Sequence, residues 1–494
     1  MRDWRCLQRF SGMSRAVPPS SARYLSKISR RRLLSLATSA FVGVAMLGAQ
    51  PRQALPDPLD LETAISIALE NNLAIRQARE RVRTQHGVVT TVSAAGLPTF
   101  SAAGTLLRSD TPTILSVNSA LLGTGANLNP NSIIFAPAGR FWRLTFTGTQ
   151  TLYAGGGIRG AVRSAGLARD AATLDLQATI NEALLDARVR FYDVLHTREQ
   201  IRVQERNLEV LQTQLRYAQA RVEAGTAPEF ERLRAEVAVA NARAPLIRAR
   251  NDFRLAFEEL RRVLGVTTNE PEAQRKIPEF TGTLEFKPEK LDLEAAFAAA
   301  QANRPDLRRL AKLVAARGED VDVARARYFP SVSIYGAGEL RKGATDRLND
   351  SIDGARGGVQ SRWEIGSRAT AGAVVQGGSL LEQARLTEAE ARLAAEIEVR
   401  RAFSAIEQAS ELAAATQQGV AQAEEAVRLA QARFEAGTAT QLDLLQAQAE
   451  LTSARTSLLR ANHGYNVAVA QLRKAVGAAD VEYHDTALGE NSPP

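Results

Sequence analysis

The stretch AQARVEAGTA at residues 218–227 returns as AQARFEAGTA at residues 430–439. Nine of the ten positions are identical, and scattered identity continues in both copies as far as Gly265 and Gly477. An ordered recurrence of this kind indicates internal duplication, and its period of 212 residues is too long for the repeating unit of a solenoid. The chain is therefore predicted to consist of two homologous halves.

Two shorter motifs extend the duplication toward the start of each half. Leu-Asp-Leu-Glu at 59–62 returns at 291–294, and Leu97-Pro98 is matched by Phe329-Pro330. These matches set the domain boundaries that we expect. The predicted segments are a leader at 1–54, a first half at 55–265, a linker at 266–290, a second half at 291–477 and a C-terminal tail at 478–494.

Helical periodicity dominates each half, which is predicted to run helix, strand, strand, helix, helix. The long helix after Gly160 keeps apolar residues at steps of seven, and so does its counterpart. A sustained heptad predicts helices packed side by side as in coiled coils. Frequent Ala, Gln, Arg and Glu between the heptad positions favour helices around a wet interior. The heptad positions are Ile180, Ala187, Val194, Ile201, Leu208, Leu215 and Val222, and then Val399, Ile406, Ala413, Val420, Val427 and Phe434.

The repeats also predict helix boundaries. The first helix is expected to run from Leu59 to about Ala95 and to end before Pro98. The spacing between the copies falls from 232 residues at the first motif to 212 at the last. Part of this decrease in spacing is attributed to the long helix, which is predicted to be shorter in the second half than in the first.

Two pairs of strands are predicted from alternation with a period of two. Trp142, Leu144 and Phe146 alternate with arginine and threonine, and Trp363 and Ile365 alternate with polar residues in the second half. Alternation over ~10 residues with aromatic side chains on the apolar face fits membrane strands between lipid and water. A soluble two-faced sheet would give the same pattern. Four strands leave open edges that lipid does not tolerate, so several chains would have to contribute to one barrel.

The excess positive charge lies at the N-terminus. The chain has 62 basic and 54 acidic residues, but residues 1–49 hold nine basic residues and one acid, so the remainder is balanced at 53 against 53. A basic segment followed by an apolar stretch at 33–48 is typical of a signal peptide, and this stretch is shorter than the ~20 residues of a membrane-spanning helix. An uncleaved anchor is the alternative, and residues 29–34 also resemble a twin-arginine signal. The balanced remainder gives no basis for nucleic-acid binding.

We predict no catalytic, cofactor-binding or metal-binding residues, and therefore a protein that is not an enzyme. Gly155 to Gly160 matches G-x-G-x-x-G, but the helical pattern continues where a dinucleotide site needs a second parallel strand. These glycines are interpreted as a strand-to-helix hinge. The four histidines lack metal-ligand spacing and are interpreted as isolated surface or helix-face residues. Cys6, the only cysteine, lies in the leader.

The duplicated motifs resemble those of the TolC-like outer-membrane efflux proteins over about residues 55–480. Four features carry the likeness: the Leu-Asp-Leu-Glu starts together with a polar residue or cluster about ten positions later, the Leu-Pro or Phe-Pro entry to each strand pair, the glycines at the strand exits, and the hairpin turns. The polar residues after the starts are Asn72 and Asn303-Arg304-Pro305. The strand exits are Leu152 to Gly156 and Val375 to Gly378. The turns contain Gly225 and Glu231 in one copy and Gly437 and Asp443 in the other.

The resemblance implies a mainly α-helical fold with a small transmembrane β portion, assembled as a homotrimer in the outer membrane. Each chain would give four strands to a shared β-barrel and its helices to a long α-helical barrel across the periplasm. The implied function is a passive exit duct for efflux of small molecules or for type I secretion, working with an inner-membrane transporter and a periplasmic adaptor. The turn residues implied to meet the adaptor are Ala224, Gly225, Thr226, Ala436, Gly437 and Thr438.

The resemblance also implies acidic residues at the periplasmic tip. Asp443 occupies the position of a pore-lining acid, Gln446 stands where some members carry a second acid, and Glu231 is the counterpart in the first copy. From the residues alone, Thr440 to Asp443 is interpreted as a capping box, and Glu231 as an acid favoured near a helix start. The two roles can coexist.

A second class of function stays open at this point. A periplasmic coiled-coil adaptor or scaffold without a pore would share the helices. It would not need two strand pairs with aromatic residues on one face. The strands therefore favour the channel.

Overall fold

The computed structural model describes residues 55–109, 113–114, 135–136, 139–266, 277–288, 292–342 and 352–477. The predicted leader and C-terminal tail lie outside these residues. The described part is mainly helical and contains two tandem halves, as the repeats predict.

Each half contains a pair of short helices, two main strands and a long helical hairpin. The first half comprises α1 (Leu61–Asn71), α2 (Leu73–Ser93), a 3₁₀ turn (Ala94–Gly96), β1 (Thr99–Ser109), β2 (Thr113–Ile114), β3 (Phe135–Ala136), β4 (Gly139–Ala154), α3 (Gly157–Glu223) and α4 (Glu229–Leu264). The second half comprises α5 (Leu293–Asn303), α6 (Pro305–Ala326), β5 (Ser331–Lys342), β6 (Ile352–Arg362), α7 (Arg368–Glu435) and α8 (Gln441–Val476). None of the described helices is both long enough and apolar enough to cross a membrane.

The heptad positions near the middle of the long helices face their partner helices. Ile180 and Val194 on α3, and Val399 and Ile406 on α7, are all buried. Toward the turns the heptad positions are only half-buried, as at Leu215 and its neighbours. The heptad side chains are thus buried near the middle of each long helix and partly exposed to solvent near the turn.

The first predicted helix is broken at Asn72, which the sequence analysis missed. The Asn72 side chain accepts hydrogen bonds from the first amides of α2 and so caps that helix. Its amide nitrogen donates to the Val263 carbonyl at 2.8 Å, which ties the break to the end of α4. Gly265 (φ +70°) touches the same break, because a Cβ there would lie 2.4 Å from the Asn71 carbonyl oxygen.

The second half has an equivalent break between its two short helices, called a helix joint below, but its side chains differ. Arg304 separates α5 from α6, which begins at Pro305. Gly477 at the end of α8 packs so closely that a Cβ would lie 2.9 Å from the Arg304 amide nitrogen. Arg304 is buried and forms ion pairs with Asp306 and Glu398 at 2.8 and 2.7 Å. The motif residues after each Leu-Asp-Leu-Glu therefore fix a helix joint onto the end of a hairpin.

The two long helices are almost equal in length, at 67 and 68 residues, so the prediction of a shorter helix in the second half is wrong. α7 starts at Arg368, where Ser367 caps it, and continues through Gly377 and Gly378, which the resemblance places at a strand exit. Glycine inside a helix costs only about 1 kcal/mol, and packing along so long a helix offsets it. The second strand exit lies at Gly366 (φ +73°) instead.

Part of the predicted linker belongs to the core of the first half. Residues 277–288, called the strap below, lie beside the start of the first half, where Leu59 and Phe280 form a parallel bridge. The Phe280 ring is buried and lies edge-on to three other rings at centroid distances of 5.9–6.1 Å. These rings belong to Phe191, Phe253 and Phe257 of α3 and α4.

The other end of the strap is bound to α8 in the second half. Side chains of α8 donate hydrogen bonds of 2.6–3.3 Å to three backbone carbonyls of the strap. The pairs are Asn462 with Leu284, Tyr465 with Lys287, and Asn466 with Glu285. The strap therefore joins the two halves, in addition to linking them in sequence.

The four main strands form one antiparallel sheet in the order β1-β4-β5-β6. The central β4–β5 ladder joins the two halves, and no described strand pairs with the outer edge of β1 or β6. β4 is antiparallel to both of its neighbours. The parallel crossover that a dinucleotide site requires is therefore not formed at the glycine-rich junction after β4.

Gly155→Ala is expected to lower the thermal unfolding midpoint more than Gly156→Ala does. Both residues have positive φ, +60° and +85°, so both substitutions cost about 1 kcal/mol in backbone energy. Only at Gly155 would the new Cβ collide, at 2.4 Å from the Ala326 carbonyl oxygen and 2.8 Å from the Phe329 Cβ, whereas nothing lies within 4 Å at Gly156. Melting followed by circular dichroism measures the difference. Equal shifts for the two variants would refute the close approach of this junction to the end of α6.

Candidate functional site

The register of the sheet gives one face to apolar side chains, as the alternation predicts. Residues that pair directly across strands share a face. Trp142, Leu144 and Phe146 of β4 pair with apolar residues or glycine on both neighbouring strands, except that the β5 partner of Trp142 is Lys342. The pairs are Phe146 with Ala102 and Gly338, Leu144 with Gly104 and Leu340, and Trp142 with Leu106 and Lys342. Phe146 is 51% exposed, so the described residues leave this face without a cover there.

Two of the predicted strand residues lie beyond the strand. β6 ends at Arg362, so Trp363 and Ile365 take no part in the ladder. The Trp363 indole N–H donates to the Tyr328 carbonyl at 3.0 Å, and the chain then turns into α7. Alternation of side chains can continue past the last ladder hydrogen bond, which is why the sequence alone placed these residues in the strand.

The opposite face of the sheet carries threonine and charge. Arg143 stands directly opposite Arg341, and its Nε lies 3.1 Å from the Glu339 carboxylate. Arg356 of β6 belongs to the same face, because its partner Ala337 lies two residues from Glu339. The sheet is thus two-faced in its central part, with Arg143, Glu339, Arg341 and Arg356 on the polar side, while the charged residues of the apolar face, such as Asp353, lie at the strand ends.

The two hairpin turns have the same backbone. Gly225 and Gly437 take φ values of +68° and +70° at the ends of α3 and α7. The amides of Thr226 and Thr438 each donate to the carbonyl five residues earlier at 2.8 Å, and their hydroxyls donate to the same carbonyls. All six predicted contact residues are exposed: Ala224, Gly225, Thr226, Ala436, Gly437 and Thr438.

The second turn is followed by a complete capping box, which confirms the interpretation of Thr440 to Asp443. The Asp443 carboxylate accepts from the Thr440 amide at 2.8 Å, and the Asp443 amide donates to the Thr440 hydroxyl at 3.3 Å. The backbone and hydroxyl hydrogen bonds of Thr440, and then the charge of Arg433, hold the pKa of Asp443 below its ordinary value. Gln446 donates to Glu450 at 3.2 Å. Asp443 is exposed and ionised at neutral pH.

The first turn uses its acid differently, because Pro228 stands where the second turn has Thr440. Proline has neither an N–H nor a hydroxyl, so the reciprocal bonds of a capping box cannot form there. Glu231 instead approaches Arg221 of α3, with 3.5 Å between Oε2 and Nη1. The Arg221 guanidinium also lies over the Phe434 ring of α7, 5.4 Å from its centroid. Sequence reasoning missed this link, because Arg221 is as ordinary on a helix surface as any other arginine.

A groove between the two hairpins lies beside these turns. Its volume is about 770 Å³, and its walls include Tyr217, Arg221 and Glu231 from the first hairpin and Phe434 and Gln441 from the second. Below it, Leu211, Val239 and Ala242 form a small apolar cluster that reaches Leu445 of α8. The hairpins are therefore in contact below the groove, and the Arg221–Phe434 contact also joins them beside the turns.

Two histidines that look isolated in the sequence meet in the fold. The rings of His196 and His463 lie 5.0 Å apart, and His463 Nε2 is 2.9 Å from the Asp193 carboxylate. Burial lowers the pKa of His196, and the charge of His463 lowers it further. The interpretation as lone residues is wrong for this pair, which sequence spacing cannot reveal because the two lie on α3 and α8. The described residues contain no group of three His, Cys, Asp or Glu side chains that could hold a metal ion.

Comparison with known proteins agrees with this geometry. The chain matches the family model described as outer membrane efflux protein over residues 64–266 and 297–478. It belongs to the outer membrane efflux protein family. The two matched segments coincide with the two halves of the chain.

Relatives of this efflux protein span most of its length. It is 26% identical over 423 residues to the outer membrane efflux protein BepC of Brucella suis biovar 1 (strain 1330), which covers 84% of this chain and 85% of BepC. It is 24% identical over 416 residues to nodulation protein T of Rhizobium leguminosarum bv. viciae, covering 81% and 78%.

Solved structures show the same fold. The Campylobacter jejuni CmeC outer membrane channel superposes with a TM-score of 0.71 at 16% identity, over 87% of this chain and 88% of CmeC. VceC of Vibrio cholerae superposes with a TM-score of 0.68 at 18% identity, over 84% and 96%. The predicted TolC-like fold is confirmed. The efflux protein is an outer-membrane exit duct and not an adaptor, and its family consists of channels and not of enzymes.

Thr440→Ala is expected to raise the hydrogen-exchange rate of the first-turn amides of α8 about fivefold, since an N-cap contributes ~1 kcal/mol. Pro228→Ala at the equivalent position removes no capping side chain and serves as the control. The pKa of Asp443 is lowered in the folded state, so its ionised carboxylate stabilises the folded state. This contribution is complete above the ordinary aspartate pKa of about 4 and is lost as the pH falls through the lowered pKa of the folded state. Equal exchange in both variants would contradict the role of the capping box.

Proposed function

We propose that this efflux protein works as a homotrimer, with a shared β-barrel in the outer membrane and a helical tunnel in the periplasm. An N-terminal signal peptide exports the chain. The trimer conducts substrate passively, by efflux of small molecules or by type I secretion, while an inner-membrane transporter supplies energy through a periplasmic adaptor. The open edges of the four-stranded sheet carry this proposal.

Barrel closure by several chains would satisfy both edges of the sheet. The outer edges of β1 and β6 have no partner among the described strands, and unpaired strand edges are not stable in lipid. Three sheets of four strands would give a closed barrel of twelve. The apolar face with Trp142, Leu144 and Phe146 would then contact lipid, while Trp363 and Ile365 would lie at the end of the barrel where the helices begin.

Exposed apolar side chains along the hairpins support the same assembly. α4 and α7 each carry a line of large apolar residues that are exposed in the single chain. Exposed apolar surface on this scale marks a protein interface. The residues are Phe230, Leu233, Val237, Ile247 and Leu255 on α4, and Val375, Leu380, Leu386, Leu393, Ile397, Leu412 and Leu429 on α7.

The two turns are proposed as the contact with the adaptor. Their equal backbones present the same exposed Ala-Gly-Thr surface twice in each chain. Asp443 is exposed beside the second turn and is proposed to line the tunnel entrance, with Gln446 one turn behind it. Glu231 points into the groove between the hairpins through its ion pair with Arg221, so we assign it to the docking surface more than to the pore.

Phe146→Asp is expected to prevent assembly in the outer membrane, whereas Thr147→Asp is tolerated. The two residues are neighbours on β4 with opposite faces, and a charge on the lipid face of a barrel costs up to a few kcal/mol, here about 2. The measurements are the amount of heat-modifiable trimer in outer-membrane fractions and the conductance of purified protein in planar bilayers. A monomeric soluble wild type without conductance would refute the proposed function. Equal loss in both variants would refute the assignment of the faces.

Cysteines at Thr226 and Thr438 are expected to capture the adaptor by cross-linking. The only natural cysteine is Cys6 in the predicted leader, so no other cysteine from residue 55 onward competes in the cross-linking reaction. Gln417→Cys is the matched control: it is exposed on α7 but about 30 Å from the turn, at 1.5 Å per residue. Mass spectrometry of the cross-linked product identifies the partner. Equal capture from the control position would show that the turns are not the contact.

A further inference from the structure

The polar face of the sheet carries arginine in a pattern that duct function alone does not require. Arg143 and Arg341 stand directly opposite each other on β4 and β5. Arg341 and Arg356, from two different strands, line one small cavity of about 280 Å³ together with Glu339. Within the described strands, the single carboxylate on this face is Glu339, and it forms its ion pair with Arg143.

This arrangement is unfavourable for the sheet itself. Like charges directly opposite on neighbouring strands destabilise the pair, and one carboxylate cannot neutralise three guanidinium groups. Arg341 and Arg356 are exposed and form no ion pair with any described residue. Asp353 reaches the rim of the cavity, but its pairing with Leu340 places it on the apolar face. The face therefore carries a net positive charge that the surrounding sheet does not compensate.

We infer that these arginines make the barrel section of the channel selective for anions and give it a binding site for cargo that bears carboxylate or phosphate groups. The inference rests on the proposed function, because the polar face lines a pore only when several sheets close into a barrel. Three arginines and one glutamate in each chain would form a positive ring repeated around the pore axis. Rings of arginine or lysine select anions, because charge within low-dielectric walls concentrates the counter-ion.

The ring lies at the opposite end of the protein from Asp443. The sheet and the hairpin turns are separated by the whole of α3, whose 67 residues rise about 1.5 Å each. A charge at the turns is therefore far beyond the Debye length of about 10 Å at 0.1 M salt. The barrel and the tunnel entrance are thus two independent electrostatic filters of opposite sign.

The test measures reversal potentials of the purified full-length protein in planar bilayers under a KCl gradient. The wild type is expected to favour Cl⁻ over K⁺, and Arg341→Gln/Arg356→Gln to lower that permeability ratio by roughly threefold or more. Arg341→Lys/Arg356→Lys keeps the charge and is the matched control, with the wild-type ratio expected. Conductance with the same ratio in the glutamine variant would overturn the inference and leave the proposed duct intact, whereas absence of any wild-type conductance would count against the duct itself.

A second measurement covers the case in which the glutamine variant fails to assemble. Inorganic triphosphate added to the barrel side of the wild-type channel is expected to reduce the current at 0.1 M salt, and 1 M salt to relieve the block, because the Debye length falls to about 3 Å. Block of equal strength from both sides, or no block at all, would contradict a cationic site in the barrel.

Discussion

The unpaired edges of a four-stranded sheet are the constraint on which this architecture depends. A sheet with one apolar face and two open edges is stable neither in water nor in lipid, because its edge amides and carbonyls need partners. No described strand of the chain supplies them, since each half contributes two main strands to the sheet and the central β4–β5 ladder joins the halves. In the proposed trimer, other copies close the sheet, and the helices that continue from the strands form one ring. At the junction between β4 and α3, Gly155 packs closely against the end of α6.

Duplication has kept the backbone of each joint while its side chains diverged. Asn72 caps one helix joint and Arg304 fills the other, yet a glycine with positive φ packs against both. At the turns, the substitution of Pro228 for Thr440 redirects an equivalent acid from a capping box to an ion pair across the hairpin. Backbone geometry is therefore the shared property of the two halves, and surface chemistry is where they differ.

The elements could be predicted from the sequence wherever a periodic pattern was long. Heptads gave the long helices, alternation gave the faces of β4, and Thr440 with Asp443 gave the capping box. The boundaries of the elements were harder to predict. Glycines at 377 and 378 suggested a strand exit, but they lie inside a continuous helix. The alternating pattern placed Trp363 in a strand, but β6 ends at Arg362. Contacts between distant residues could not be predicted at all. His196 meets His463, and Arg143 faces Arg341, only because the helices and strands pack in one particular register.

The strap imposes an order on the folding of the chain. Phe280 can join the rings of α3 and α4 as soon as the first half is complete, but the carbonyls at 284–287 wait for Tyr465 and its neighbours, about 180 residues later in synthesis. Without α8, the carbonyls of Leu284, Glu285 and Lys287 lack these side-chain donors. The strap therefore completes its contacts only after α8, the last helix of the second half, has been synthesised. A chain truncated before α8 lacks these contacts between the two halves. Assembly from full-length chains is therefore favoured over assembly from truncated chains.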